Sequence, residues 1–322
     1  MLYPLTFQPI FKQRVWGGRD LERLYHKPLP PGVLIGESWE ISDRPGDISV
    51  IANGPFAGKD LRWLMENHTA DLLGGAKPQH GRFPLFIKIL DAQDKLSLQV
   101  HPPPARAAEL GGEPKTEMWY IAAAAPGAAL YVGLKRGVTR AEFECKIKTG
   151  TVAECFHRVP VRSGDAMFLP SGRVHAIGAG LVIFEIQQNS DTTCRVFDWS
   201  RLGLDGKPRE LHVPQSLASI DFNDFEPSLL SRAFVQTGPQ KGRPLVRDPL
   251  FTADAHETSA GASMPLRPNK MQIIALLAGQ VRVCHGQETL ALAPGQFCLV
   301  PASLAQVTLR AETPATYLRV EV

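Results

Sequence analysis

The chain has 322 residues, enough for one large or two ordinary domains, and its 44% apolar, 21% charged composition is that of a globular protein with a sizeable core. A net charge of +3 without any basic run excludes an electrostatic footprint for nucleic acid or lipid, and no apolar stretch reaches the length of a membrane span. The five cysteines form no CxxC pair and Met1-Leu2-Tyr3-Pro4 carries no leader pattern, so reduced thiols in a cytoplasmic protein are expected. The cysteines other than Cys194 (Cys145, Cys155, Cys284 and Cys298) read as small buried hydrophobes.

The 28 glycines and 27 prolines punctuate short apolar runs, which predicts many short strands joined by turns. Residues 1–60 read as strands and turns around Trp16-Gly17-Gly18 and Gly36 to Ser42. Asp60 to Glu66 predicts a short capped helix with Leu61, Leu64 and Met65 on one side. Strands follow at Phe83 to Leu90, Leu96 to His101 and Met118 to Ile121. The capping-box pattern Thr139-Arg140-Ala141-Glu142 opens a helix towards Lys148, and a further short helix is expected around Val152 to His157. Asp165 to Leu169, Gly180 to Gln188 and Arg195 to Trp199 predict strands, residues 200–245 an irregular boundary region, and the chain from about Phe251 short strands again. Gly164, Pro170-Ser171-Gly172 and His175 are echoed at the same spacing by Gly295, Pro301-Ala302-Ser303 and Gln306. This points to a repeated β-barrel unit whose second copy has lost its histidine, with the chemistry in the first.

The most specific segment is Ser97-Leu98-Gln99-Val100-His101-Pro102. Alternation along a strand puts Ser97, Gln99 and His101 on one face and Leu96, Leu98 and Val100 on the other. With Glu117, in Lys115-Thr116-Glu117-Met118-Trp119-Tyr120, and His175, after the Pro170 turn, Gln99 and His101 offer two imidazoles, a carboxylate and an amide oxygen. Such a mixed shell suits zinc or a similar divalent ion. Lys88 is a charge within an apolar strand, where it would be costly unpaired, and is read as facing a pocket. Trp16, Trp39, Trp119 and Trp199 are read as core or rim aromatics.

The Gly164 to His175 spacing resembles the second cupin motif. Together with Leu96 to Pro102, Lys115 to Tyr120 and Ser190 to Arg201, the chain resembles the type I mannose-6-phosphate isomerases (phosphomannose isomerases) of the short bacterial kind, over most of its length and more faintly over the last eighty or so residues. Cys194 departs from the resemblance, standing where an aromatic is expected, and Ala122 to Ala125 is unusually bland; neither removes a functional group. The resemblance implies a mainly β fold, a cupin (double-stranded β-helix, jelly-roll) barrel with helical insertions in a catalytic domain, residues 1–235, followed by a degenerate cupin-like domain without a metal site, residues 236–322. It implies one Zn2+ per chain on Gln99, His101, Glu117 and His175, catalytic roles for Arg195, Lys115 and Glu185, and substrate contacts from Ser97 and Lys88. Mannose 6-phosphate and fructose 6-phosphate would be interconverted through a cis-enediol, with Glu185 as the base or as a carboxylate paired to Arg195 or Lys115. The expected partner is a small sugar phosphate, with no nucleic acid or membrane, acting on a monomer or weak homodimer that supplies or consumes a GDP-mannose precursor. An Fe(II) cupin dioxygenase and a non-catalytic sugar-phosphate-binding module are the alternatives.

Overall fold

The computed structural model describes residues 1–238 and 240–322 and is mainly β. Four sheets carry the fold, in two pairs. The first six-stranded sheet runs, in spatial order, Ile10–Gly18, Ile35–Ile41, Leu85–Ala92, Leu181–Gln188, Glu117–Ala124 and Ala166–Leu169. Its companion of five strands runs Cys194–Phe197, Leu98–Val100, His175–Ile177, Ala129–Leu134 and Phe156–Pro160. The second pair repeats the plan. Six strands run Val235–Thr237, Gln240–Arg247, Thr252–Thr258, Ala315–Glu321, Gln272–Ala278 and Phe297–Val300, and four run Ser263–Pro265, Thr308–Ala311, Val281–His285 and Glu288–Leu292. The ladders joining these strands are antiparallel, as expected of a cupin barrel.

Strand alternation explains how one sheet serves both a core and a site. In Leu85–Ala92, Ile87 and Ile89 join a cluster that reaches Ala253, Ala255, Leu318 and Val320 of the second pair of sheets. Val182, Phe184 and Ile186 of the neighbouring strand do the same, and Phe184 stacks on Phe297 at 5.4 Å between ring centroids. The residues between them, Lys88 and Glu185, therefore point into the first barrel, where they face one another in register. Leu98 and Val100 lie in a third cluster with Phe143, Phe156 and Val196, which turns the intervening Gln99 away from that core.

Local signals account for the helices. Asp60 Oδ1 accepts from Trp63 N at 2.7 Å and opens the helix Leu61–Asn67. Thr139 Oγ1 accepts from Glu142 N at 3.2 Å and opens Arg140–Thr149, which Gly150 ends in a left-handed conformation. Glu142 pairs with Lys146 instead of completing the capping box.

Four expectations need correction. Asp20–Tyr25 is helical, which the turn-rich surroundings hid. The strand expected from Leu96 to His101 keeps only Leu98–Val100, and Ser97 and His101 flank it. Residues 200–245 are more ordered than expected: they hold the helix Val213–Ser219, opened by a proline in its first turn, and most of Gln240–Arg247, whose Pro244 sits at a register shift where its missing donor is tolerated. Cys145 is exposed on its helix and Cys284 half-buried, so only Cys155, Cys194 and Cys298 lie in the core. Among the described residues no helix is long and apolar enough to cross a membrane.

Candidate metal centre and active site

The antiparallel ladders bring together four side chains that the sequence spreads over 77 positions. His175 opens its strand directly opposite Gln99, and Arg195 faces Gln99 from the other side. Glu117 opens the strand beside Leu181–Gln188. As a result His101 Nε2 lies 3.1 Å from Glu117 Oε1, His175 Nε2 lies 4.0 Å from Glu117 Oε2, and Gln99 Nε2 lies 3.3 Å from His175 Nε2. His101, Glu117 and His175 are at most 1% exposed and offer donor atoms all within 4.8 Å of one another.

The protonation pattern fits a cation. His101 Nδ1 lies 2.7 Å from the Thr192 carbonyl and His175 Nδ1 lies 2.9 Å from the Arg173 carbonyl, so each ring donates outward and turns its Nε2 lone pair inward. Burial, reinforced by Lys115, lowers the His101 pKa, and burial with His101 pushes His175 down to about 3, so both imidazoles are neutral. Burial acts to raise Glu117, but the Lys115 charge outweighs it and holds the carboxylate well below its ordinary range. Neither Glu117 oxygen accepts a hydrogen bond of proper geometry, although the Lys115 ammonium touches Oε1. Two neutral imidazole lone pairs and an ionised carboxylate converging in the interior form a set that a divalent ion satisfies. The Gln99 amide can join it when its oxygen is turned inward, a rotation that gives up the 3.3 Å contact of Nε2 with His175 and leaves the Ser97 hydroxyl to accept from the amide nitrogen.

The set borders a cleft of about 600 Å³ into which Gln99, Lys115, Glu185, Arg195, Ser97 and Lys88 all project. Burial acts to lower Lys115, but Glu117 and Glu185 raise it, so it is firmly charged. Glu185 is 4% exposed; burial and then the Glu117 charge raise its pKa, with Lys88 and Lys115 opposing. Its partners are Trp119, whose Nε1 donates to Oε2 at 2.9 Å, and Lys88, 3.4 Å from Oε1, and not the Arg195 or Lys115 considered from sequence. Arg195 Nη1 donates to the Glu210 carbonyl at 2.7 Å, while its buried Nε has no partner. Burial and the adjacent Arg209 guanidinium lower the Arg195 pKa.

Sequence reasoning missed a second layer. Glu37, 8% exposed, accepts from Arg14 Nε at 2.8 Å and from Trp39 Nε1 at 2.5 Å. Burial acts to raise it, yet Lys88 and Arg14 bring it down to about 2. The Trp39 ring lies 5.5 Å beneath the Lys88 ammonium. The alternation of Glu37 and Trp39 in Gly36 to Ser42 was visible in the sequence, but nothing local showed that this strand lies beside Lys88. Gly203, Leu204, Asp205 and Arg209 also line the cleft, from the stretch expected to be a mere boundary.

Comparison with known proteins gives the same picture. A profile of the type I phosphomannose isomerase catalytic domain matches residues 5–120. The chain is 35% identical over 305 residues to the mannose-6-phosphate isomerase of Streptococcus mutans serotype c, covering 94% of each chain, and 35% identical over 311 residues to that of Bacillus subtilis strain 168, covering 95% of each. It superimposes on the crystal structure of a Bacillus subtilis mannose 6-phosphate isomerase with a TM-score of 0.90 at 29% identity, over 100% of both chains. A Salmonella typhimurium phosphomannose isomerase shares the fold, with a TM-score of 0.78 at 17% identity over 99% of each chain. The chain therefore belongs to the type I mannose-6-phosphate isomerase (phosphomannose isomerase) family and is an aldose–ketose isomerase.

Proposed function

We propose that the chain interconverts mannose 6-phosphate and fructose 6-phosphate with one zinc ion, by proton transfer between C2 and C1 through a cis-enediol. The observation that carries this reading is the convergence on one cleft of the buried His101–Glu117–His175 set and a buried carboxylate of raised pKa, Glu185. Gln99, His101, Glu117 and His175 would hold the ion. When bound, it would supply Lewis-acid polarisation of the O1 and O2 oxygens of the open-chain sugar.

The remaining work falls to the chain's own residues. Glu185 accepts the proton from C2 as O1 gains one, which gives the enediol. Glu185 then returns the proton to C1 as O2 loses its own. Its raised pKa brings it closer to neutral pH, where a base that must also give its proton back is most effective. Trp119 fixes one of its oxygens and leaves the other towards the cleft beside Lys88. Lys115 orients a sugar hydroxyl beside the metal set, and the unsatisfied Arg195 Nε faces the oxyanion charge that develops. Ser97 and Lys88 contact substrate from the cleft wall. In this reading residues 1–235 form the catalytic cupin domain and residues 236–322 a cupin-like domain without a metal site, in a cytoplasmic monomer or weak homodimer.

The test is a coupled assay of mannose 6-phosphate conversion, before and after chelation and zinc replacement. Activity lost with chelator and restored by zinc is expected. Folded, zinc-replete protein that turns over neither sugar phosphate would overturn the reading.

A further inference from the structure

Rising from the cleft wall, residues 200–209 form a flap. Gly203 N donates to the Lys207 carbonyl at 2.7 Å and Gly206 N to the Gly203 carbonyl at 3.1 Å, and Leu202 bridges Pro208, so the tip is a closed turn. Its base is fastened: Trp199 Nε1 donates to the Leu96 carbonyl at 2.7 Å and His212 N to the Arg195 carbonyl at 2.8 Å. Between base and tip, Trp199 and Ser200 are two successive non-glycine residues in the left-handed region, with φ of 57° and 54°. Such a pair persists only where its surroundings hold it, and it fixes the turn from which the flap rises. Leu202 and Leu204 at the tip are 55% and 59% exposed, and Leu204 borders the cleft.

At the far end of the flap, Arg209 shares Asp198 with Arg201. Asp198, 5% exposed, accepts from Arg209 Nε and Nη2 at 2.6 and 2.5 Å and from Arg201 Nε and Nη2 at 3.1 and 2.9 Å. Arg201 is further held by the Lys95 carbonyl and by Asp94 at 3.3 Å. Asp198 would therefore keep a guanidinium if Arg209 left, and no bare carboxylate would be stranded in the interior. The other cleft cations already have carboxylates: Arg14 has Glu37, Lys115 has Glu117, and Lys88 has Glu185 and, at 3.8 Å, Asp191. Arg195 has only a carbonyl partner, and Asp205, the acid on the flap, is engaged by Lys207 N at 3.0 Å. A planar guanidinium fork binds a phosphate as well as it binds a carboxylate.

The geometry points to Arg209 as a specificity residue that exchanges Asp198 for the phosphate of the bound sugar, as the flap tip, residues 202–208, brings Leu204 over the cleft while Arg201 stays on Asp198. Released Arg209 then presents its guanidinium fork to a phosphate dianion at the flap end of the cleft. The assignment rests on the sugar-phosphate reading above.

It is tested with the whole protein by titrating inorganic phosphate calorimetrically and by steady-state kinetics. Arg209→Gln should weaken phosphate binding and raise KM for mannose 6-phosphate by about 100-fold, with kcat within threefold. Arg209→Lys, which keeps a charge for Asp198 but loses the fork, should fall between and serves if Arg209→Gln does not fold. Phosphate affinity and KM within threefold of the parent in either folded variant, or a parent that does not bind phosphate, would overturn the assignment. A parent that binds phosphate in an Arg209-dependent way but turns over no sugar phosphate would instead sink the isomerase reading and leave Arg209 as an anion site.

Discussion

The two barrels of this chain are the same frame put to opposite uses, and register shows where they diverge. Leu169 faces Glu117 in the first barrel as Val300 faces Gln272 in the second, so Gln272 stands where Glu117 does. By the same count Glu185, facing Lys88, corresponds to Arg319, facing Asp254. The buried pair is kept and its polarity reversed. The turn Pro170-Ser171-Gly172 leads to His175 as Pro301-Ala302-Ser303 leads to Gln306. Pro265 faces Thr308, and continuing that register by two residues sets Arg267 opposite Gln306, where the first barrel has Gln99 opposite His175.

What differs is satisfaction. In the second barrel Gln272 Nε2 donates to the Arg267 carbonyl at 2.8 Å, Arg267 Nη1 donates to Glu321 at 2.9 Å, and Arg319 Nη2 donates to Asp254 at 3.1 Å. The groups at the positions equivalent to the metal set are thus engaged with one another, while His256, Arg319 Nε and Glu321 Oε1 beside them keep no hydrogen-bond partner. In the first barrel two imidazole lone pairs and a carboxylate face a common centre, with the Lys115 ammonium beside His101 and Glu117 and the Gln99 amide beside His175. Among the described residues, the first barrel is where two imidazoles and a carboxylate gather within reach of one ion.

The comparison is broken most violently at the metal set. His101→Ala should abolish metal binding and lower kcat on the order of 10³-fold, whereas Gln306→Ala should leave kcat within twofold. Metal content by elemental analysis, read beside turnover, checks both. A smaller effect is expected from the reversed pair. Asp254→Ala removes the carboxylate shared by Arg319 and Arg247 and leaves Arg319 only Glu321 at 3.4 Å, so urea denaturation should show a loss of about 2 kcal/mol with kcat unchanged.

A third effect is comparable in size but appears only in acid. His256, 5% exposed and stacked on Tyr317 at 5.0 Å between ring centroids, has no hydrogen-bond partner at either ring nitrogen. Burial, with Arg319 beside it, pushes its pKa down to about 4, and Asp254, Arg267 and Arg247 are the other charges that face it. Between about pH 6.5 and pH 4 the unfolded chain binds a proton there that the folded chain does not, so stability falls as pH falls, by roughly 3 kcal/mol in total. His256→Phe should flatten that part of the stability–pH profile, and an unchanged slope would count against the shift. The mildest test restores the lost histidine. Gln306→His should still bind one zinc per chain, because Arg267 and Gln272 remain where Gln99 and Glu117 would be needed.

Much of the first barrel was legible because its signals are local. The Ser97 to His101 alternation, the Asp60 and Thr139 caps and the Pro170 turn each act within a few residues. Lys88 and Glu185 were singled out separately, but their pairing spans 97 positions and is set by strand order alone. Glu37 and Arg14 were missed for the same reason, and Arg209 because a glycine- and proline-rich stretch carries no periodicity to read. The echo at Gln306 was visible as spacing, whereas the reversal of Lys88–Glu185 into Asp254–Arg319 needed the register of four strands.

The most direct test strips the protein with chelator and titrates zinc back while metal content and mannose 6-phosphate turnover are followed together. The account predicts no turnover in stripped protein and full turnover at one equivalent per chain, with no further gain beyond it. Full turnover without metal, or a requirement for a second equivalent, would contradict the division of labour between the two barrels.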